Sequence, residues 1–100
     1  MRYDKLVRDK IPEIIEKKGG TPITHTADDE EYEKKLAEKL GEETREFLKS
    51  GEPEELADIL EVVYAIGALK GIAREDLERL RREKEEKRGG FTARIILEES

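Results

Sequence analysis

The chain has no cysteine, no tryptophan, no asparagine and no glutamine. Without cysteine there is neither a disulfide nor a thiolate metal site. The missing amides, beside a heavy load of lysine, glutamate and arginine, carry the mark of a thermophilic source or of an engineered sequence. Five aromatic residues and 35% hydrophobic content leave material for only a modest core. No apolar run is long enough to span a bilayer. The opening MRYDKLVRDK lacks the apolar stretch of a signal peptide, so a cytoplasmic protein is expected.

What the chain has is charge. Charged residues make up 46% of its 100 residues, well mixed in sign, with a net charge of −6 and a pI near 5.0. Such a mixture marks a solvated helical surface. The net negative field argues against bulk attraction to DNA or RNA. The length fits a single domain over residues 1–100. A chain of this size buries roughly two-thirds of its unfolded surface, so its core is modest and dimerisation is expected.

The pattern along the chain is mainly helical. Pro12 suits a first helical turn, and a short helix is expected from about Ile11 to Lys18, ended by Gly19-Gly20. Asp28 or Asp29 caps a long helix to about Lys49, whose apolar stripe runs Tyr32, Leu36, Leu40, Phe47. The slot between Leu40 and Phe47 is filled by Glu43, an acid in a core-facing position. After Ser50-Gly51, Pro53 opens a helix from Glu54 to about Lys70 that is apolar on nearly every side and is therefore expected to be buried. Gly67 within it should permit a close approach. A fourth, mostly charged helix spans about Arg74 to Arg88. Two β-branched segments, Thr21 to Thr26 and Phe91 to Leu97, read as short strands that pair in an antiparallel ribbon.

The chemistry lies in two acid pairs, Glu43-Thr-Arg-Glu46 and Glu55-Leu-Ala-Asp58. Residues three apart on a helix are neighbours, with Cβ atoms roughly 5–6 Å apart. Two long helices joined by the short Ser50–Pro53 turn pack antiparallel, so the four carboxylates can converge. Carboxylates do not enter a core without compensation, and a hard divalent cation that takes oxygen ligands is the natural one. Mg²⁺ bound there would share its shell with substrate phosphates and favour attack of water on phosphorus. Glu42 and Glu61 lie beside the four as further ligands or a general base. The alternative is a charged helical surface with ordinary ion pairs.

At these residues the sequence resembles a known group. Glu42-Glu43-Thr-Arg-Glu46 followed by Glu55-Leu-Ala-Asp58 is similar to the EExxE…ExxD signature of the MazG-like all-α nucleotide pyrophosphohydrolases. Tyr3-Asp-Lys-Leu-Val-Arg-Asp-Lys-Ile-Pro12 and Arg88-Gly-Gly-Phe91 resemble a small house-cleaning branch that acts on non-standard nucleotides. The likeness covers essentially the full chain. It implies a MazG-like helical bundle completed by dimerisation, dependence on Mg²⁺ (Mn²⁺ a possible substitute), and cleavage of a nucleoside triphosphate to monophosphate and pyrophosphate. It makes Glu43, Glu46, Glu55 and Asp58 the metal ligands and Glu42 the adjacent catalytic acid. Two other hypotheses remain: phosphoribosyl-ATP pyrophosphohydrolase, against which the KLVRDKIP stretch argues, and a non-catalytic helical dimer that serves as a binding module.

Lys5 and Arg8, with Lys10, form a basic cluster that would meet phosphate oxygens or else pair with the acidic helices. Lys84 and Arg88, four apart on the last helix, are candidate phosphate ligands set against a default solvated face. His25 reads as structural. Tyr64 and Phe91 are candidates for stacking on a base, with core packing the simpler role for Tyr64. The expected partner is a small nucleotide and a second copy of the chain, with no nucleic-acid polymer and no membrane.

Overall fold

The computed structural model describes residues 3–100. Among them are four helices, α1 (Ile11–Lys17), α2 (Asp29–Ser50), α3 (Pro53–Leu69) and α4 (Arg74–Arg88), and no strand. Helix is therefore the regular structure of the chain, and the ends of α2 and the exit from α3 are set by local chemistry.

The Asp28 carboxylate accepts from the Glu31 N–H at 2.9 Å and caps α2. At the other end Gly51 takes φ 66°, and its N–H reaches back to the Phe47 carbonyl. This left-handed turn lets α3 fold back against α2, and Pro53 opens α3 in its first turn. The exit from α3 is equally defined. Gly71 takes φ 77°, its N–H bonds to the Ala68 carbonyl, and the Ile72 N–H bonds to the Gly67 carbonyl. These are the two hydrogen bonds of a Schellman ending. A Cβ on Gly67 would sit 3.2 Å from the Ile72 carbonyl oxygen. The close approach at Gly67 is thus to the chain's own reversal, not to a neighbouring helix.

The α2–α3 hairpin carries what core there is. Leu36 (2% exposed) and Val62 (8%) are its buried apolar side chains. α4 touches α3 near its own start, where Asp76 and Leu77 are half-buried. From Glu78 onward it is exposed.

Two expectations need correction. The ribbon between Thr21–Thr26 and Phe91–Leu97 does not form among the described residues; both segments are irregular. Ile23 and Phe91 are each 97% exposed, so neither segment has a surface to pair over. Pro22 also removes a ladder donor, and an isolated two-stranded ribbon is marginal in water. The apolar helix α3 is also not buried within one chain: Leu56 and Leu60 on its outer side remain exposed.

Candidate functional site

The site is assembled by the hairpin. Glu43 replaces an apolar residue in the core stripe of α2 and is the buried acid of the chain, 9% exposed. Because α3 runs back antiparallel, its first two turns bring Glu55 and Asp58 to the same place. One carboxylate oxygen from each of Glu43, Glu55 and Asp58 lies within 4.8 Å of the others. Three of the four acids singled out by spacing therefore converge. Glu46, one turn further along α2, is exposed and stands outside this trio, though its charge still acts on Glu55.

Electrostatics divides these acids. Desolvation, followed by the charges of Asp58, Glu43, Glu46 and Glu54, raises the pKa of Glu55 above its ordinary value. Like charges held together favour a proton or a cation between them. Glu42 behaves in the opposite way. Burial alone would raise it, but the hydrogen bond from Lys5 and the charge of Lys39 outweigh that and hold it below the ordinary value. Its carboxylate lies 3.3 Å from Lys5 Nζ and 3.5 Å from Lys39 Nζ.

The amino-terminal arm crosses this acidic face. The Asp4 carbonyl accepts from Lys35 Nζ at 2.7 Å, Lys5 pairs with Glu42 on α2, and Arg8 donates to Asp58 Oδ1 on α3 at 2.6 Å. The arm thus lays two cations beside the trio, with Arg8 directly on one of its members. Lys39 completes the picture at 3.2 Å from Glu43. Sequence reasoning passed over Lys39, although its position four residues before Glu43 is the spacing of helical ion pairs.

The other candidates fall elsewhere. Lys84 and Arg88 stand on the exposed stretch of α4 and make no ion pair with the trio among the described residues. His25 Nε2 lies 2.9 Å from the Glu31 carboxylate, at the start of α2. Tyr64 is half-buried, with the Arg74 guanidinium 4.3 Å above its ring centroid. Phe91 is fully solvated. Arg74 had no signal in the sequence, since its approach to Tyr64 depends on the turn at Gly71.

No protein-family model matches the chain, and no solved structure matches it. The chain is similar to an uncharacterized protein of Mycolicibacterium smegmatis (strain ATCC 700084 / mc(2)155), with 49% identity over 43 residues. That match spans 43% of this chain and 44% of the relative's length. No helix of the described residues is long and apolar enough to cross a membrane.

Proposed function

We propose that this chain is a cytoplasmic, MazG-like nucleotide pyrophosphohydrolase that depends on Mg²⁺ and works as a homodimer. It cleaves a free nucleoside triphosphate, of non-standard base or sugar, to monophosphate and pyrophosphate. The observation that carries the reading is the convergence of Glu43, Glu55 and Asp58 within 4.8 Å, one of them buried, with Arg8 and Lys5 laid alongside. Three carboxylates form an all-oxygen donor set that fits a hard divalent cation, and Glu55 is raised by desolvation and then by its acidic neighbours, a balance that a cation would relieve. Glu43, Glu55 and Asp58 are the residues that would hold it, with Glu46 at the rim. When bound, the ion neutralises phosphate oxygens and makes a coordinated water more acidic.

The chain's own groups do the rest. Glu43 is fixed by its burial and by Lys39, so the donor set is held in place before substrate arrives. Arg8 presents a planar guanidinium fork suited to phosphate oxygens, and Lys5 adds a second cation beside it. Glu42, kept anionic between Lys5 and Lys39, positions the arm that carries both. Charge at the transferring phosphoryl group is then offset from the arm on one side and from the hairpin on the other.

The surface supports the dimer. A folded monomer of 11.5 kDa is expected to expose about 5,800 Å², whereas this chain exposes 9181 Å². Its radius of gyration is 17.5 Å, against roughly 13 Å for a compact chain of this length. The excess, roughly 3,400 Å² per chain, is more than enough to supply each partner's half of the about 2,000–5,000 Å² that obligate dimers bury in all, and the irregular end segments account for part of it. Leu48, Leu56 and Leu60 are exposed on the hairpin and available for it.

A second reading has an observation of its own. Arg8 already neutralises Asp58, and Lys39 already neutralises Glu43, as expected for a non-catalytic helical dimer whose acids serve ion pairing. The test is a panel of ordinary and modified nucleoside triphosphates and phosphoribosyl-ATP with Mg²⁺, scored for pyrophosphate against orthophosphate. Pyrophosphate release that is abolished in Glu43→Gln, with helicity retained, supports the enzyme. Orthophosphate as the sole product removes the pyrophosphohydrolase, and turnover of nothing in the panel favours the binding module. Preferential turnover of phosphoribosyl-ATP moves the assignment to that substrate.

A further inference from the structure

Where α3 gives way to α4, a cleft of about 460 Å³ opens, lined among others by Glu61, Tyr64, Ala65, Ala68, Ile72 and Arg74. Its size is within the range of small-ligand sites, roughly 300–1,000 Å³. It lies farther along α3 than the acid trio, with no residue in common. Glu55, Asp58, Glu61 and Tyr64 follow one another at intervals of three along α3, a row that climbs about 4.5 Å at each step. Glu61 is thus the next side chain of the row after Asp58, and Tyr64 lies about 9 Å along the helix from Asp58 and about 120° around it. The row also winds about 60° around α3 at each step, so a nucleotide with its phosphates at the trio would reach the cleft by passing around the side of the helix at Glu61.

The lining has a definite chemistry. The Arg74 guanidinium carbon lies 4.3 Å from the centroid of the Tyr64 ring, and a guanidinium plane is a group on which a base can stack. Glu61 makes no hydrogen bond or ion pair among the described residues. It is exposed on a helix that is otherwise apolar here. An ionised carboxylate only accepts, through two oxygens side by side. It is therefore complementary to a base edge with two adjacent N–H donors. Guanine offers that edge at N1 and N2. Adenine and cytosine place a ring acceptor beside their amino group, and uracil and thymine flank their single N–H with carbonyls.

We propose that the Glu61–Tyr64–Arg74 cleft is the base subsite, selecting a purine with two adjacent donors on its Watson–Crick edge, guanine being the ordinary example. The assignment rests on the trio handling the phosphates of the same nucleotide, as proposed above. It is tested first without metal, by titrating the ¹⁵N-labelled chain in EDTA with guanosine, inosine and adenosine monophosphates. Guanosine monophosphate is expected to shift the amides of Glu61, Tyr64 and Arg74 and to bind about tenfold or more tightly than adenosine monophosphate, the discrimination of one bidentate contact. The inosine nucleotide, which lacks the 2-amino group, falls between them. Glu61→Gln, an exposed substitution that leaves the fold intact, should bring the guanosine-to-adenosine ratio to near one. Arg74→Lys should weaken all three by removing the planar platform. Equal binding of the three nucleotides, shifts confined to other residues, or an unchanged ratio in Glu61→Gln would overturn the assignment.

The two levels separate in a turnover assay with Mg²⁺. Pyrophosphate release from guanosine, adenosine and uridine triphosphates at equal kcat/KM would sink the base subsite and leave the pyrophosphohydrolase standing. Selective guanosine monophosphate binding with no turnover of any triphosphate would do the reverse.

Discussion

Removing the Arg8 side chain separates the roles of that residue more cleanly than any other change. Arg8 lies 2.6 Å from Asp58, and both side chains are substantially exposed, 56% and 35%. An exposed pair of this kind stabilises a fold by about 0.2–1 kcal/mol, so Arg8→Gln should lower Tm by no more than roughly 8 °C. The same pair competes with a cation for Asp58, since a carboxylate turned to Arg8 must be released before it can ligate. Abolishing the competitor returns at most the energy of the pair, and about 0.2–1 kcal/mol corresponds to roughly 1.4- to 5-fold tighter Mg²⁺ binding. Activity should move the other way, because a guanidinium that faces the triphosphate is lost: kcat/KM should fall by tenfold or more. Isothermal titration with Mg²⁺ and a pyrophosphate-release assay on the same preparation give the two numbers. Tighter metal binding with weaker catalysis is the expected signature. Weaker Mg²⁺ binding in Arg8→Gln would refute the competition, and unchanged kcat/KM would remove Arg8 from the phosphate site.

Three further outcomes follow from particular residues. At free Mg²⁺ about ten times its dissociation constant, binding to the native state adds about 1.4 kcal/mol, a rise in Tm of roughly 6–11 °C; Glu43→Gln should abolish that rise in thermal scans, and an equal rise in the variant would exclude Glu43 as a ligand. Glu55 has a raised pKa, from desolvation and then the neighbouring acids, so the folded chain holds this proton more tightly than the unfolded chain does; its stabilising contribution is complete below the ordinary value of 4.5 and disappears as pH rises through the raised one. Glu55→Gln in EDTA should therefore be more stable than the parent at neutral pH and converge with it in acid, whereas a difference of the same size at both pH values would contradict the shift. Gly71 sits at φ 77°, where an L-residue costs about 1–2 kcal/mol. Gly71→Ala should lower Tm by at least roughly 4 °C and loosen the start of α4, measured by amide exchange at Asp76 and Leu77; an unchanged Tm would show that the turn is not held there.

The acid in the apolar stripe of α2 was legible from residue types alone, because burial on a helix follows its 3.6-residue period and Leu36, Leu40 and Phe47 define the face that Glu43 shares. The helix ends were legible for a similar reason: Asp28, Gly51 and Pro53 act through local backbone geometry that needs no distant partner. The strands expected at Thr21–Thr26 and Phe91–Leu97 were not, since β-branched composition describes a tendency to pair and says nothing of whether a partner lies alongside. Glu46 shows the limit of spacing as a guide. It follows the same i, i+3 rule as Asp58, yet three residues turn it to the solvent side of α2, whereas the return of α3 brings Asp58 inward.

The order of charges and apolar residues along the chain thus determined by itself where the helices run and that a carboxylate would occupy a core position, because both depend on contacts within a few residues. Only the tertiary structure decided which acids meet, that Arg8 reaches Asp58 across fifty residues of sequence, and that Arg74 covers Tyr64 to form a cleft. The first is fixed by the antiparallel return at Gly51, the second by the arm's own contacts with α2 and α3, and the third by the reversal at Gly71; a pairing set by such folding back has no periodicity that a sequence could display.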